Sequence, residues 1–332
     1  MPAPKKIIIT EAEAGKRLDL ILSEKLLLSR SQVQKLIKKN LVLVNNSLPK
    51  KAGDNVSANS TISFKQEEEE EEKPKKTAGT KNKILPALVL KPKIISETDD
   101  YIVIEKPTGM LTHPTMAGET DTLADFITAK FPEIKKVGED PLRPGIVHRL
   151  DKEASGLLVI ARTQKMFNHL KEQFKNRTIE KEYLALAHGK VQREWGEINF
   201  PIARSENGDR MAAIPATTGK AKPGSDAQGV SSAREAKTEF WIEKQFVNFT
   251  LLRIKIYTGR MHQIRVHLLA YNHPLVGDPL YFQKKQKRTW DEKLGRLFLH
   301  SAKLGFADLA GEKQLFESPL PKILSNFLKE LK

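Results

Sequence analysis

The segment His148-Arg149-Leu150-Asp151-Lys152-Glu153 sets one carboxylate, Asp151, between two cations just ahead of the apolar run Leu157-Leu158-Val159-Ile160-Ala161. A carboxylate at the edge of a core, kept ionised by a nearby positive charge, can act as a nucleophile. A turn residue looks the same locally, so the other cations of the chain decide between the two. TGRMHQIRVH, residues 258–267, puts Arg265 on the mainly apolar face of a helix with Met261, Leu268 and Leu269. A half-buried guanidinium requires a carboxylate partner, and Asp151 is one candidate for that place. Tyr183 alternates with Leu184 in a strand-like stretch, where it is either a sheet-face residue or a ring offered to a cleft. His262 and His267 lie five apart, off the spacing that helix-borne metal ligands favour, so no metal site is expected.

The elements that must position these residues alternate between strand and helix patterns. KIISETDDYIVIEKPTGM reads as strand, Asp-Asp turn, strand and a Pro-Gly loop. LLVIART, EYLALAHG and TLLRIKIYT read as further strands, and MHQIRVHLLAYN as a helix opened by the Thr258-Gly259 turn. Strands outnumber helices, and hairpin signals outweigh regular strand–helix alternation. The expected class is therefore α+β with a mostly antiparallel sheet. Residues 204–235 are rich in Gly, Ala and Ser and read as an exposed loop with one short strand.

The chain has 332 residues and a formal net charge of +15, a surplus that favours a polyanionic partner, nucleic acid first. No cysteine is present, which excludes disulfides, thiolate catalysis and Cys-zinc sites. No apolar run is long enough for a secretory signal or a membrane span, so a cytoplasmic protein without membrane contact is expected.

Six consecutive glutamates, Glu67–Glu72, open a charged stretch that cannot bury anything. The expected organisation is a module at 1–65, a flexible linker at 66–89 and a large domain at 90–332. The glutamate run is a solubilising spacer or a competitor for the basic module. That module carries 12 Lys or Arg against 5 Asp or Glu, so much of the net charge is concentrated there. Leu18, Ile21, Leu22 and Leu26 have helical spacing; Ser29 or Ser31 can cap a second helix that buries Val33, Leu36 and Ile37. That helix would leave Arg30, Lys35, Lys38 and Lys39 outside, with a small β unit turning at Asn45-Asn46 behind it. The pattern resembles the alpha-L RNA-binding module of ribosomal proteins, with Asn40 where that family usually has Gly.

HRLDKEASGLLVIA resembles the catalytic motif of the RluA-type pseudouridine synthases, with Ala154 in place of the usual Thr. KEYLALAHG is similar to that family's Lys-x-Tyr segment, VIEKPTGMLTHP to its Lys-Pro-x-Gly segment and TGRMHQIRVHLLAYNHPLVGDPLY to its third signature. LFLHSAKLGF and FESPLP are similar to the closing segments, so the resemblance runs in order over about 90–325. It implies a catalytic fold of mixed, mostly antiparallel sheet with flanking helices and a central cleft, preceded by a small α/β RNA-binding module. It also implies isomerisation of uridine to pseudouridine in RNA by a monomer, without cofactor. In that reading Asp151 is the essential carboxylate, through attack on the ribose or through a glycal route. Tyr183 stacks on the uracil, with its hydroxyl near the carbon-5 proton. Arg265 pairs with Asp151, a phosphate being its other possible partner, and Arg149 fills the gap left by a flipped base. His148, Arg260, Arg30, Lys35, Lys38 and Lys39 join Arg149 as RNA-binding residues. Large-subunit ribosomal RNA stands ahead of transfer RNA as substrate. A non-catalytic ribosome-assembly factor would have no need of the carboxylate, and a retaining glycoside hydrolase would need a second one, for which Glu153 is the nearest candidate.

Overall fold

The computed structural model describes residues 7–26, 33, 36–37, 41–45, 47–49, 51, 53–64, 91–115, 118–205, 210–214, 233–283 and 286–332. The basic residues Arg30, Lys35, Lys38 and Lys39, together with Asn40, Asn46 and the expected linker at 66–89, lie outside the described residues. Two compact units divide the chain, Met1–Lys83 and Ile84–Lys332.

In the first unit, helix α1 (Leu18–Leu26) buries Leu18, Ile21 and Leu22, the stripe its spacing predicts. Val33, Leu36 and Ile37 are helical and pack into the same core. Strands β1 (Ile7–Ile8), β2 (Val42–Val44) and β3 (Thr61–Phe64) form a sheet in the order β1-β3-β2. Asn45 leaves β2 with a φ of 50°, the left-handed backbone expected of the turn there.

The second unit is built on nine strands: β4 (Lys93–Glu97), β5 (Tyr101–Lys106), β6 (Ser155–Ala161), β7 (Glu180–His188), β8 (Trp195–Ile198), β11 (Thr238–Gln245), β12 (Phe249–Ile256), β13 (Leu299–Ala307) and β14 (Lys313–Glu317). A separate pair, β9 (Ile202–Arg204) and β10 (Met211–Ala213), supplies the short strand expected within 204–235. The large sheet runs β4-β5-β6-β13-β7-β12-β11-β8, with β14 added to β13. Its ladders are antiparallel apart from the β6–β13 pair, so the mixed, mostly antiparallel class holds. The helices are α2 (Leu123–Lys130), α3 (Gln164–Lys175), α4 (Gln263–Ala270), α5 (Thr289–Leu294) and α6 (Lys322–Glu330). Thr163 caps α3 by accepting the Met166 N–H, and Met166, Phe167 and Leu170 turn inward, in keeping with a helix lying on a sheet.

The parallel contact is the topological centre, and it places the segment before β6 two strands from β7. Ser155 and Gly156 pair with His300 and Ser301. Gly156 has φ +117°, and a Cβ there would stand 2.3 Å from the Ser301 carbonyl oxygen, so only glycine permits this approach.

One expectation is corrected. Helix α4 does not show a single apolar face: every residue from Gln263 to Leu268 is buried. It packs against β10 and β11, and its polar residues are satisfied internally. His267, for example, joins Thr238 Oγ1 at 2.9 Å and the Phe200 carbonyl at 2.8 Å. Among the described residues no helix is long and apolar enough to cross a membrane.

Candidate active site

All seven residues of β6 are buried. Just before it, Leu150 and Ala154 sink into the core, 4% and 1% exposed. The loop between these anchors therefore lifts Asp151, Lys152 and Glu153 away from the core.

The Lys-Pro-x-Gly segment holds that loop. Lys106 ends β5 fully buried, and its Nζ donates to the carbonyls of Pro107, Met110 and Ala154 at 2.8 Å each. Three acceptors match the three protons of an ammonium. Burial pushes the pKa of this lysine down to about 7, while Asp151 pulls it back upward. The Gly109 N–H donates to the Lys152 carbonyl at 2.7 Å, and Thr108 Oγ1 donates to that of Glu153 at 2.6 Å. Thr112 Oγ1 donates to the Leu150 carbonyl at 2.9 Å. Four carbonyls of the Asp151 loop, those of Leu150, Lys152, Glu153 and Ala154, are thereby tied to residues 106–112.

Helix α4 brings Arg265 to the same place with its side chain 1% exposed. Its Nη1 lies 3.2 Å from Asp151 Oδ2 and 3.1 Å from Glu153 Oε2. Its stronger attachment is to Asp278: Nε donates to Oδ2 and Nη2 to Oδ1, both at 2.8 Å. Burial alone would lower the Arg265 pKa, but Asp278 foremost, then Asp151 and Glu153, raise it above the ordinary arginine value. Arg265 is a permanent cation here, with three carboxylates around it. Asp278 Oδ1 also accepts the N–H groups of Leu280 and Tyr281, and the Tyr281 ring lies 5.1 Å from the guanidinium. Gly277 makes the turn possible with φ +75°, since a Cβ there would stand 1.8 Å from the Arg296 carbonyl oxygen.

Asp151 and Tyr183 line one small cavity of about 60 Å³. Arg149, Tyr183, Ile256, Gly259 and Arg260 are walls shared with a larger cleft of about 460 Å³. Tyr183 is 5% exposed; burial first, and then the Asp151 carboxylate, raise the pKa of its hydroxyl well above the ordinary phenol value. Its ring thus meets the cavity as a neutral phenol.

The structure brings Asp151, Tyr183 and Arg265 together, with Arg149 and Arg260 on the shared wall. His148 lines the larger cleft, but its Nε2 accepts the Val159 N–H at 3.0 Å and its ring lies against Phe174. Burial, then Lys181, push the pKa of this imidazole down to about 3, so it is neutral and pins the loop to β6. Arg260 is partly engaged by the Glu235 carbonyl at 3.0 Å. The residue that reading the sequence missed is Asp278. Its signal was available: a buried arginine needs a carboxylate, and Asp278 is the acid that follows α4 in the same motif. Glu153 is held by the same Arg265 nitrogen as Asp151, which leaves it poorly suited as the free acid of a glycoside hydrolase. Among the described residues no group of three or more metal-ligating side chains occurs.

Known proteins resemble this chain in sequence and in fold. The RNA pseudouridylate synthase family model matches residues 100–270, and the S4 domain model, the module expected at the N-terminus, matches 16–62. The RNA pseudouridine synthase YlyB of Bacillus subtilis is 32% identical over 98% of this chain and 97% of its own length. The ribosomal large subunit pseudouridine synthase D of Neisseria meningitidis serogroup B is 32% identical over 96% of this chain and 79% of its own. Among solved structures, human RNA pseudouridylate synthase domain containing 4 superposes with a TM-score of 0.57 at 24% identity, covering 72% of this chain and 93% of that one. With a family model over half of its length and relatives aligned along nearly all of it, this chain belongs to the RNA pseudouridine synthases, isomerases that act on RNA.

Proposed function

We propose that this pseudouridine synthase modifies large-subunit ribosomal RNA, with Asp151 as the essential carboxylate. The observation that carries the substrate reading is the near full-length similarity to a synthase named for the ribosomal large subunit, S4 module included. The net charge of +15 suits a large structured RNA. In this reading residues 1–65 bind the RNA and 90–332 carry the chemistry in the cytoplasm, with the charged stretch 66–89 between them in the sequence. A binding module on the same chain raises the local concentration of RNA at the cleft.

In the reaction the N1–C1′ bond of uridine breaks, the uracil turns, and a C5–C1′ bond forms as C5 loses its proton and N1 gains one. Asp151 meets the ribose side of that bond, oriented by the Arg265 guanidinium 3.2 Å away. In this reading Tyr183 lies along the uracil, and its hydroxyl assists at C5. Arg149, exposed at the shared wall, takes the place of the flipped base in the stack.

The test uses RNA labelled with tritium at uracil C5. Large-subunit rRNA, small-subunit rRNA and tRNA transcripts are compared, and each is repeated with Asp151→Ala. Release confined to large-subunit rRNA and lost in the variant is expected. Release from tRNA alone would overturn the substrate, and release that survives Asp151→Ala would overturn the assignment of the carboxylate.

A further inference from the structure

Among the described residues Lys181 is a buried cation with no counter-charge, and it sits two residues from Tyr183. Its side chain lines the larger cleft and is 7% exposed. Strand alternation puts it on the same face of β7 as Tyr183, both being buried while Glu180, Glu182 and Leu184 are less so. Among the described residues it makes no hydrogen bond and no ion pair, and its ammonium rests 5.1 Å from the centre of the Phe174 ring. Burial pushes its pKa down to about 8, with no carboxylate to offset the loss of water. A methionine would fill the same space without that penalty.

The surroundings add to the imbalance. Arg143, Arg149, Lys175, Arg177 and Arg260 also line this cleft and none of its lining residues is a carboxylate, though Arg143, Lys175 and Arg177 have acidic partners outside it in Asp140, Glu172 and Glu235. His148 contributes no charge, because burial and Lys181 keep it neutral. His113, another wall residue, carries a buried Nδ1 without a partner. A cavity walled by cations, with one of them buried and unpaired, suits an anion.

We propose that Lys181 anchors a phosphate subsite, binding the RNA backbone phosphate next to the target uridine while Tyr183 lies against its base. The inference rests on RNA as the substrate of this cleft. Residues two apart on a strand face are separated by roughly 6.6 Å, which matches the reach from a nucleotide's base to its own phosphate. A lysine suits this task as a compact point charge with rotatable donors. Its position on a central strand, with the stem packed on Phe174, fixes the charge before RNA arrives. The subsite then sets the register of the strand, so that one base and no neighbour reaches Asp151.

The experiment uses the full chain with Lys181→Met and Lys181→Arg. Binding to an RNA substrate of the enzyme is measured across a salt series, and uridine 5′-monophosphate is compared with uridine as an inhibitor of tritium release. For Lys181→Met we expect the KM for RNA to rise about tenfold, the size of one charge-assisted contact. We also expect the slope of log affinity against log salt to fall by roughly 0.7 to 0.9, the share of one phosphate. The monophosphate, stronger than uridine on the natural protein, loses that advantage in Lys181→Met and keeps it in Lys181→Arg. A melting temperature no lower than that of the natural protein shows that Lys181→Met is folded. An unchanged salt slope with an unchanged preference for the monophosphate overturns the proposal. So does a loss confined to kcat, which would place Lys181 in the chemistry. If the natural protein bound RNA with the salt response described but released no tritium, the catalytic reading would fail while the subsite stood.

Discussion

The Arg265 guanidinium clasps Asp278 through two hydrogen bonds of 2.8 Å, both groups being essentially excluded from water. The remaining nitrogen, Nη1, is what reaches Asp151 at 3.2 Å. One carboxylate thus fixes the cation, and the fixed cation orients the second carboxylate, Asp151.

Asp278→Ala leaves Arg265 buried beside weaker partners. Removing one member of a buried pair costs about 3–5 kcal/mol. A clear fall in melting temperature and loss of tritium release are expected, with Asp278→Asn milder in both. Full activity in Asp278→Ala would show that Asp151 is oriented without the clasp.

Tyr183→Phe separates the ring from its hydroxyl. The ring keeps its place in the cavity, so RNA affinity should change less than about twofold. If the hydroxyl assists at C5, the rate of tritium release falls by roughly 10² or more, the range for general acid–base groups. A rate within a few-fold of the natural protein would leave Tyr183 as a stacking platform only.

Gly156→Ala probes the parallel junction. The new methyl would meet the Ser301 backbone at 2.3 Å in a left-handed conformation. A loss of about 3 kcal/mol or more is expected, read as a lower thermal midpoint. Unchanged stability would mean that β6 and β13 can part without harm.

His300 supplies a pH test. It is fully buried, between Ser155 Oγ and Ser318, and burial pushes its pKa from the ordinary histidine value down to about 4. The unfolded chain takes up that proton first as pH falls. Stability from this group is therefore present above about pH 6.5 and is lost as pH drops from 6.5 through 4. The slope within that window is roughly 1.4 kcal/mol per pH unit. His300→Gln should flatten the acid limb of stability against pH by about that amount, measured by thermal or denaturant unfolding between pH 4 and 7.

Local signals carried much of this protein. The polar-to-apolar switch at Asp151 and Leu157, the strand patterns around Tyr183 and the order of the motifs are properties of short stretches. They identified the α+β class, the N-terminal module and the residues Asp151, Tyr183 and Arg265, which the fold brings together. What tertiary structure decided was which distant groups meet. The Asp278 clasp, the Lys106 knot on the Asp151 loop and the unpaired charge of Lys181 each depend on elements far apart in the chain. The all-round burial of α4 was hidden for a related reason: a helix with polar residues satisfied inside the core shows no clean amphipathic stripe. Periodicity reports how one element meets water, whereas the partner of a buried charge is set by packing between elements.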